Sequence, residues 1–361
     1  MKISYAMNVV NGEPFIKYQL DSIYKFAYEI IIVEGAYKKF AHATNNGRSK
    51  DKTLEIIRSY PDIEDKIKLI VNNGYYEDRM EMCNEFLKHI SGDIIWQVDA
   101  DEFYKEETHT HIYELFKNDD ELDTVSFNFQ DYFASTEYFI SGNEHLHLDD
   151  VNRVHRFNQG ETWKSQRPPT LLDKNGKDKV IKKKIDGPTL MSQGHIMHHG
   201  TMMFDDQIKD KFKYYSMLFN VSKPTFWHKN VWINFNNKFN VAGFKYNITY
   251  LKRNNMTPPK DLLVMMADIE NGKISNFKLR NNEDIENFIS SFSYEKYIDL
   301  AEQISKVPFS KKNLFTQLIN ALTLALQTIY YVDFHSSVFG VKIIILNYAR
   351  FIRNKYVRSK Q

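Results

Sequence analysis

The first hundred residues alternate short apolar runs with amphipathic stretches, and this alternation limits the fold more than any other feature. Residues 2–10 read as a strand. Residues 13–26 read as a helix with an apolar stripe at Phe15, Ile16, Leu20 and Ile23. Residues 29–33, EIIIV, form a continuous apolar run of the kind covered on both faces. A helix over 51–59 stops before Pro61, and residues 66–71 give a third strand. A helix over 77–90 then leads to a fourth strand, DIIWQV, at 93–98. This βαβαβαβ rhythm predicts an α/β fold: a mostly parallel, Rossmann-like sheet with helices on both faces. Beyond Glu102 the rhythm loosens. Helices are expected over 106–117, 204–219 and 294–306, a strand over 124–133, and loop with short strand over 140–200.

Composition narrows the classes. A hydrophobic share of 42% supports a sizeable core, and an aromatic share of 14% argues against disorder over most of the chain. One cysteine, Cys83, excludes an internal disulfide framework and a Cys-cluster zinc site. The net charge of +2 conceals an asymmetry. Residues 303–361 carry nine Lys/Arg against one acid, a net +8, which leaves 39 basic and 45 acidic residues, or −6, in 1–302. An acidic body argues against nucleic acid as a partner. The opening MKISYAMNVVNGEPF has too short an apolar run for a secretory signal, and no stretch of 18 apolar residues predicts a membrane span. The expected location is therefore cytoplasmic.

Open parallel sheets bind ligands beyond the carboxyl ends of their strands. The fourth strand ends at Asp99-Ala100-Asp101. In extended backbone an i, i+2 spacing puts both carboxylates on one side, and paired hard oxygens there suit Mg²⁺ or Mn²⁺ bridging a diphosphate. On spacing alone, a solvated turn competes evenly with that reading.

The ordered set of motifs resembles GT-A glycosyltransferases, close to family 2. Gly92–Glu102 (GDIIWQVDADE) resembles the nucleotide-sugar site of that group. Asn11-Gly12-Glu13 resembles its turn after the first strand, and Ile31-Ile32-Val33-Glu34 its strand ending in a base-contacting acid. Ser49-Lys50-Asp51-Lys52-Thr53 resembles its Ser-x-Asp-x-Thr helix opening, with Arg79 and Asn84 on the next helix. The match covers about the first 105 residues. Two departures stand out: Glu34 replaces the usual Asp, and an insert, 35–48, read as a surface loop, separates it from Ser49.

The resemblance implies a GT-A-like catalytic domain over 1–302, with a nucleotide-sugar half at 1–105 and an acceptor half at 106–302. It implies transfer of a hexosyl-type sugar, with inversion, from a UDP- or GDP-type donor to a saccharide or lipid-linked acceptor, as in cell-surface polysaccharide or lipopolysaccharide synthesis. Asn11, Glu34, Asp51, Arg79 and Asp99 would hold the nucleotide. Asp101 would bind Mn²⁺ or Mg²⁺, with Asp99 on either ribose or metal. A His-Tyr-Gly-like segment late in such domains supplies a further metal ligand, and His198-His199-Gly200 resembles it, with His198 the first choice and His199 the second. Lys211, in a Gln-x-x-x-Lys-x-x-x-Tyr-like helix, would face the phosphates. The expected His-Glu base position reads Gln166-Arg167-Pro168-Pro169, which leaves Asp131, Glu161 and Asp173 as base candidates.

Other features have plainer readings. The pairs His109/His111 and His145/His147 read as surface histidines rather than zinc pairs. Trp163, Trp227 and Trp232 read as core before sugar platforms. The tail, 303–361, reads as a basic amphipathic helical appendage, either packed on the body or lying on an anionic membrane at its cytoplasmic face. A sugar nucleotidyltransferase is the rival among enzymes, though the first turn is not Gly-rich. A catalytically inactive GT-A-like binding subunit is the rival outside them.

Overall fold

The structure is a computed structural model that describes residues 1–142, 151–166, 169–218, 224–235, 241–242, 249–291, 294–295 and 298–299. The tail 303–361, the pair His145/His147 and all but four residues of the helix expected over 294–306 lie outside the described residues. The strands are β1 (Ile3–Val9), β2 (Glu29–Tyr37), β3 (Ile67–Tyr76), β4 (Ile94–Gln97), β5 (Glu102–Phe103), β6 (Leu122–Phe127), β7 (Phe129–Phe133), β8 (Ser135–Gly142), β9 (Val151–Arg156), β10 (Thr162–Gln166), β11 (Pro169–Leu172), β12 (Lys183–Ile185), β13 (Met197–Met202) and β14 (Thr249–Arg253). The helices are α1 (Phe15–Ile23), α2 (Thr53–Ser59), α3 (Arg79–Leu87), α4 (Glu106–Asn118), α5 (Gly187–Ser192), α6 (Asp205–Leu218), α7 (Pro224–Trp227), α8 (Lys260–Glu270) and α9 (Glu283–Ile289). They group into two compact units. Among the described residues, one comprises 1–131, 151–201 and 256–278, and the other 132–142, 202–255 and 279–299.

The first unit is built on a seven-stranded sheet in the order β12-β6-β9-β4-β1-β2-β3. It is the mostly parallel sheet that the alternation predicts. β9 alone runs antiparallel, between β4 and β6. Every residue of β2 is buried, as its unbroken apolar run requires. Ile30 and Ile32 face the core shared with Ile16 and Leu20 of α1 and Ile112 and Phe116 of α4. Ile31 and Val33 face the other side, where α3 buries Met82, Cys83 and Phe86. In the second unit Phe133, Tyr138, Trp227, Trp232 and Ile285 share a separate core. Trp163 of the first unit is buried as well, so Trp163, Trp227 and Trp232 each take the core role. No helix among the described residues is long and apolar enough to cross a membrane.

Four local expectations are corrected. The strand expected over 124–133 is two strands, because the chain turns at Asn128, whose carbonyl accepts the Met197 N–H at 3.0 Å. The insert 35–48 is not simply a surface loop. Its first three residues extend β2, which stays paired with β3 past an irregularity after Glu34. Residues Lys38–Ala43 then form a 3₁₀ turn. Gly47 has φ +83° and lies so close to β3 that a Cβ would sit 2.0 Å from the Gly74 carbonyl oxygen. The acid pair lies in a turn between β4 and β5, not in extended strand.

The last correction is His109, which is buried rather than at the surface. It shares the inward stripe of α4 with Ile112 and Phe116, and its Nδ1 lies 2.8 Å from the Tyr5 hydroxyl. Phe26 stacks on it at 4.6 Å, with Trp96 and Tyr104 around it. Burial pushes its pKa down to about 3. The unfolded chain, with an ordinary value near 6.5, takes up this proton between about pH 6.5 and 3 while the folded chain does not, so stability falls as pH falls through that window. From pH 7 to 5 this one group removes about 2 kcal/mol. Urea unfolding of His109→Gln is expected to lose about 2 kcal/mol less than the native chain over that interval. An equal loss would show that His109 is not held neutral.

Candidate active site

The carboxyl ends of β1 and β2 are joined by a reciprocal set of hydrogen bonds between two short segments. The Asn11 N–H donates to Ser49 Oγ (2.9 Å), the Gly12 N–H to Thr53 Oγ1 (2.6 Å) and the Glu13 N–H to Asp51 Oδ2 (3.0 Å). In return the Lys50 N–H donates to Asn11 Oδ1 (2.8 Å) and the Lys52 N–H to Glu13 Oε2 (2.9 Å). Asp51 Oδ1 also accepts the Thr53 N–H at 3.0 Å, opening α2. Glu34, fully buried at the end of the apolar run, accepts the Ser49 N–H at 2.8 Å through Oε1. Short polar side chains are needed here because strand ends leave N–H groups without ladder partners. The structure thus brings Asn11, Glu34 and Asp51 together, and each spends acceptor capacity on the backbone.

The turn after β4 is closed from both ends by Glu102. Its N–H donates to the Asp99 carbonyl (3.1 Å), and its Oε2 accepts the Asp99 N–H (3.2 Å). Glu102 is 1% exposed, and its Oε1 is ion-paired with Arg153 from β9. The same guanidinium lies 3.4 Å from Asp99 Oδ2. Burial pushes Glu102 up to about 7, with Asp99 and Asp101 adding to the shift and Arg153 opposing it. Burial disfavours the Arg153 charge, but Glu102 and Asp99 outweigh it and raise its pKa. Arg79, at the start of α3, is raised too: the Asp99 carboxylate overcomes its burial.

Asp101 faces a different group. β13 pairs antiparallel with β5, placing His199 opposite Glu102, and the Gly200 N–H donates to the Asp101 carbonyl at 2.7 Å. His199 Nε2 lies 3.5 Å from Asp101 Oδ2, and its Nδ1 lies 2.6 Å from Asp131 Oδ1. Burial works against a charge on this ring, but Asp101 and Asp131 outweigh it and push the pKa up to about 10. His198, one residue earlier, points to the opposite face of β13, where burial pushes it down to about 3. The histidine beside Asp101 is therefore His199.

Of the three base candidates only Asp131 stands at this cluster. Glu161 is buried against Lys179 (2.8 Å) and Asn158 (2.8 Å), and Asp173 closes a turn by accepting the Asn175 and Lys177 N–H groups. Lys211 stands half-buried on α6 in the second unit. Asn84 pins β10 through both of its amide atoms, to Trp163 N (2.7 Å) and O (3.1 Å). Sequence reasoning missed the Glu102–Arg153 pair. Its signal was present: Glu102 directly follows the acid pair, and Arg153 sits in a strand beside the apolar Val154.

Among the described residues no three His, Cys, Asp or Glu side chains converge as a closed protein metal site would require. Mg²⁺ and Mn²⁺ do not need such a cage, because they are held by one or two protein ligands with phosphate and water completing the shell. Asp101 offers an oxygen donor, and His199 a nitrogen donor once a cation displaces its Nε2 proton, the right types for that arrangement.

The chain belongs to glycosyl transferase family 2, whose profile matches residues 4–198. The α/β architecture and the mostly parallel sheet agree with that membership. Solved structures similar to the chain include TarS of S. aureus (20% identity, 36% of this chain and 22% of that chain, TM-score 0.30). Another is a mannosyltransferase of Pyrobaculum calidifontis in complex with GDP-Man and Mn²⁺ (21%, 35% of each chain, TM-score 0.29). A third is glucosyl-3-phosphoglycerate synthase of Mycobacterium tuberculosis with Mn²⁺, UDP and glucosyl-3-phosphoglycerate (17%, 36% of this chain and 44% of that chain, TM-score 0.26). The chain spans less than half the length of each. No curated protein matches it.

The reciprocal bonds between residues 11–13 and 49–53 predict non-additive energetics. Asn11→Ala and Asp51→Ala each leave backbone N–H groups without partners and are expected to cost about 1–3 kcal/mol in urea unfolding. Because both break one network, the double variant should cost less than the sum by at least about 0.5 kcal/mol. Strict additivity would show that the two segments are held independently.

Proposed function

We propose that the chain transfers a hexosyl-type sugar from a UDP- or GDP-type donor to a saccharide or lipid-linked acceptor, with Mn²⁺ or Mg²⁺ as cofactor. The observation that carries this reading is the approach of His199 Nε2 to Asp101 at the carboxyl end of a parallel sheet in a family 2 chain. The bound cation would act as a Lewis acid that offsets charge on the departing nucleoside diphosphate. Asp101 and His199 would hold it. Asp131 fixes the imidazole through Nδ1, leaving Nε2 toward Asp101, so we assign it to orienting His199 rather than to taking the acceptor proton. Asp99, between Arg79 and Arg153, would hold the nucleotide side of the donor, and the segments around Asn11, Glu34 and Asp51 would shape its base end. Within this reading residues 1–302 form the catalytic region, and the net +8 of 303–361 supports attachment to an anionic membrane at the cytoplasmic face, near lipid-linked acceptors.

Calorimetry with UDP, GDP and their common sugar derivatives tests this reading. One nucleotide class should bind in Mn²⁺ and weaken sharply in a chelator. Asp101→Asn should abolish that difference, and Asp131→Asn should lower metal affinity about 10–100-fold. Binding that ignores the chelator, or full transfer by Asp101→Asn, would contradict it.

A further inference from the structure

The segment 35–48 leaves the carboxyl end of β2 and returns to it, since the Ser49 N–H donates to the fully buried Glu34 at 2.8 Å. Its 3₁₀ turn, Lys38–Ala43, is tied down by side chains outside it. The Asn11 side-chain amide donates to the Ala43 carbonyl at 2.6 Å, Lys50 Nζ donates to the His42 carbonyl at 3.0 Å, and Lys38 pairs with Glu77 at 2.5 Å. These ties put His42 one residue from the Asn11 clamp, at the carboxyl ends of β1 and β2, where open parallel sheets take ligands. His42 is half-buried and lies nearly parallel to Phe40, with ring centres 6.0 Å apart and 17° between the planes. Both of its ring nitrogens are shielded from solvent, and neither has a hydrogen-bond partner among the described residues. Buried polar atoms are nearly always paired, so this imidazole has bonding capacity that the chain itself leaves unused.

We propose that His42 is a specificity-determining residue for the donor: its imidazole hydrogen-bonds the nucleobase, and Phe40 supplies an aromatic face beside it. A neutral imidazole carries one hydrogen-bond donor and one acceptor, which match the carbonyl and N–H groups on the edge of a base. An aromatic ring at the same place adds stacking. Because the nitrogens are covered, the base reaches them only as the 3₁₀ turn shifts, against the ties from Asn11 and Lys50. This inference rests on the nucleotide-donor reading of the site, and it adds 35–48 to the segments that read the base.

The test is calorimetry of the full chain in Mn²⁺ with UDP, GDP and inorganic pyrophosphate, on the native protein and His42→Phe. Phenylalanine keeps a ring against Phe40 and removes both nitrogens. The nucleoside diphosphate that the native chain prefers should bind about tenfold more weakly to His42→Phe, the size of one hydrogen bond. Pyrophosphate, which has no base, should bind both proteins alike, and the preference between UDP and GDP should narrow. In the native chain the His42 ring-proton resonances should shift with the preferred nucleotide and stay in place with pyrophosphate. Unchanged nucleotide affinity in His42→Phe, an equal loss for pyrophosphate, an unchanged ratio of UDP to GDP affinity, or ring resonances that ignore the nucleotide would each overturn the proposal. If His42→Phe does not fold, the resonances of the native chain decide alone. A native chain that binds neither UDP nor GDP in Mn²⁺ would instead overturn the donor reading, whereas nucleotide binding that ignores His42 leaves that reading standing.

Discussion

Glu102 is 1% exposed, and a guanidinium from residue 153 offsets the cost of burying its carboxylate. Everything about the turn after β4 depends on that contact. It exists only because β9 runs back, antiparallel, between β4 and β6 and delivers Arg153 beside the end of β4. With Arg153 in place, Glu102 binds the Asp99 backbone from both sides. Asp99 then faces arginines and Asp101 faces a histidine. Breaking such a pair by removing one partner typically costs about 3–5 kcal/mol, whereas replacing both by apolar groups can be neutral. The pair therefore specifies geometry more than it adds stability.

The sheet was largely legible because each of its central strands is a short apolar run between helical stretches. What the pattern could not show was the direction and place of β9. It lies in the polar region, 140–200, where short strand is expected but no strong periodicity fixes its neighbours, and an antiparallel return breaks the βα rhythm on which the reading rests. The extension of β2 and β3 was hidden for a similar reason. Their ladder breaks at Gly35 and the Asn72-Asn73-Gly74 segment, residues that ordinarily punctuate strands, and resumes beyond them at Ala36 and Tyr75. His109 was misplaced because its type suggested the surface, although its spacing to Ile112 and Phe116 put it on the inward stripe of α4.

At the site, residue types were legible and their geometry was not. Asn11, Glu34 and Asp51 stand at the strand ends where the motif order put them, yet each is tied to backbone N–H groups that no sequence pattern reveals. The choice between His198 and His199 turns on strand alternation, and only the register of β13 against β5 says which of the two faces Asp101. The expectation that Asp99 and Asp101 share a side assumed extended backbone. The turn gives them different partners.

The central claim is that His199, held by Asp131, and Asp101 form the cation site. Pulsed electron paramagnetic resonance of Mn²⁺ bound with UDP or GDP reads the ligand directly, as a coupling from a coordinated imidazole nitrogen. The account predicts this coupling in the native chain, its loss in His199→Gln and its retention in His198→Gln. A coupling that survives in His199→Gln, or disappears in His198→Gln, would contradict it.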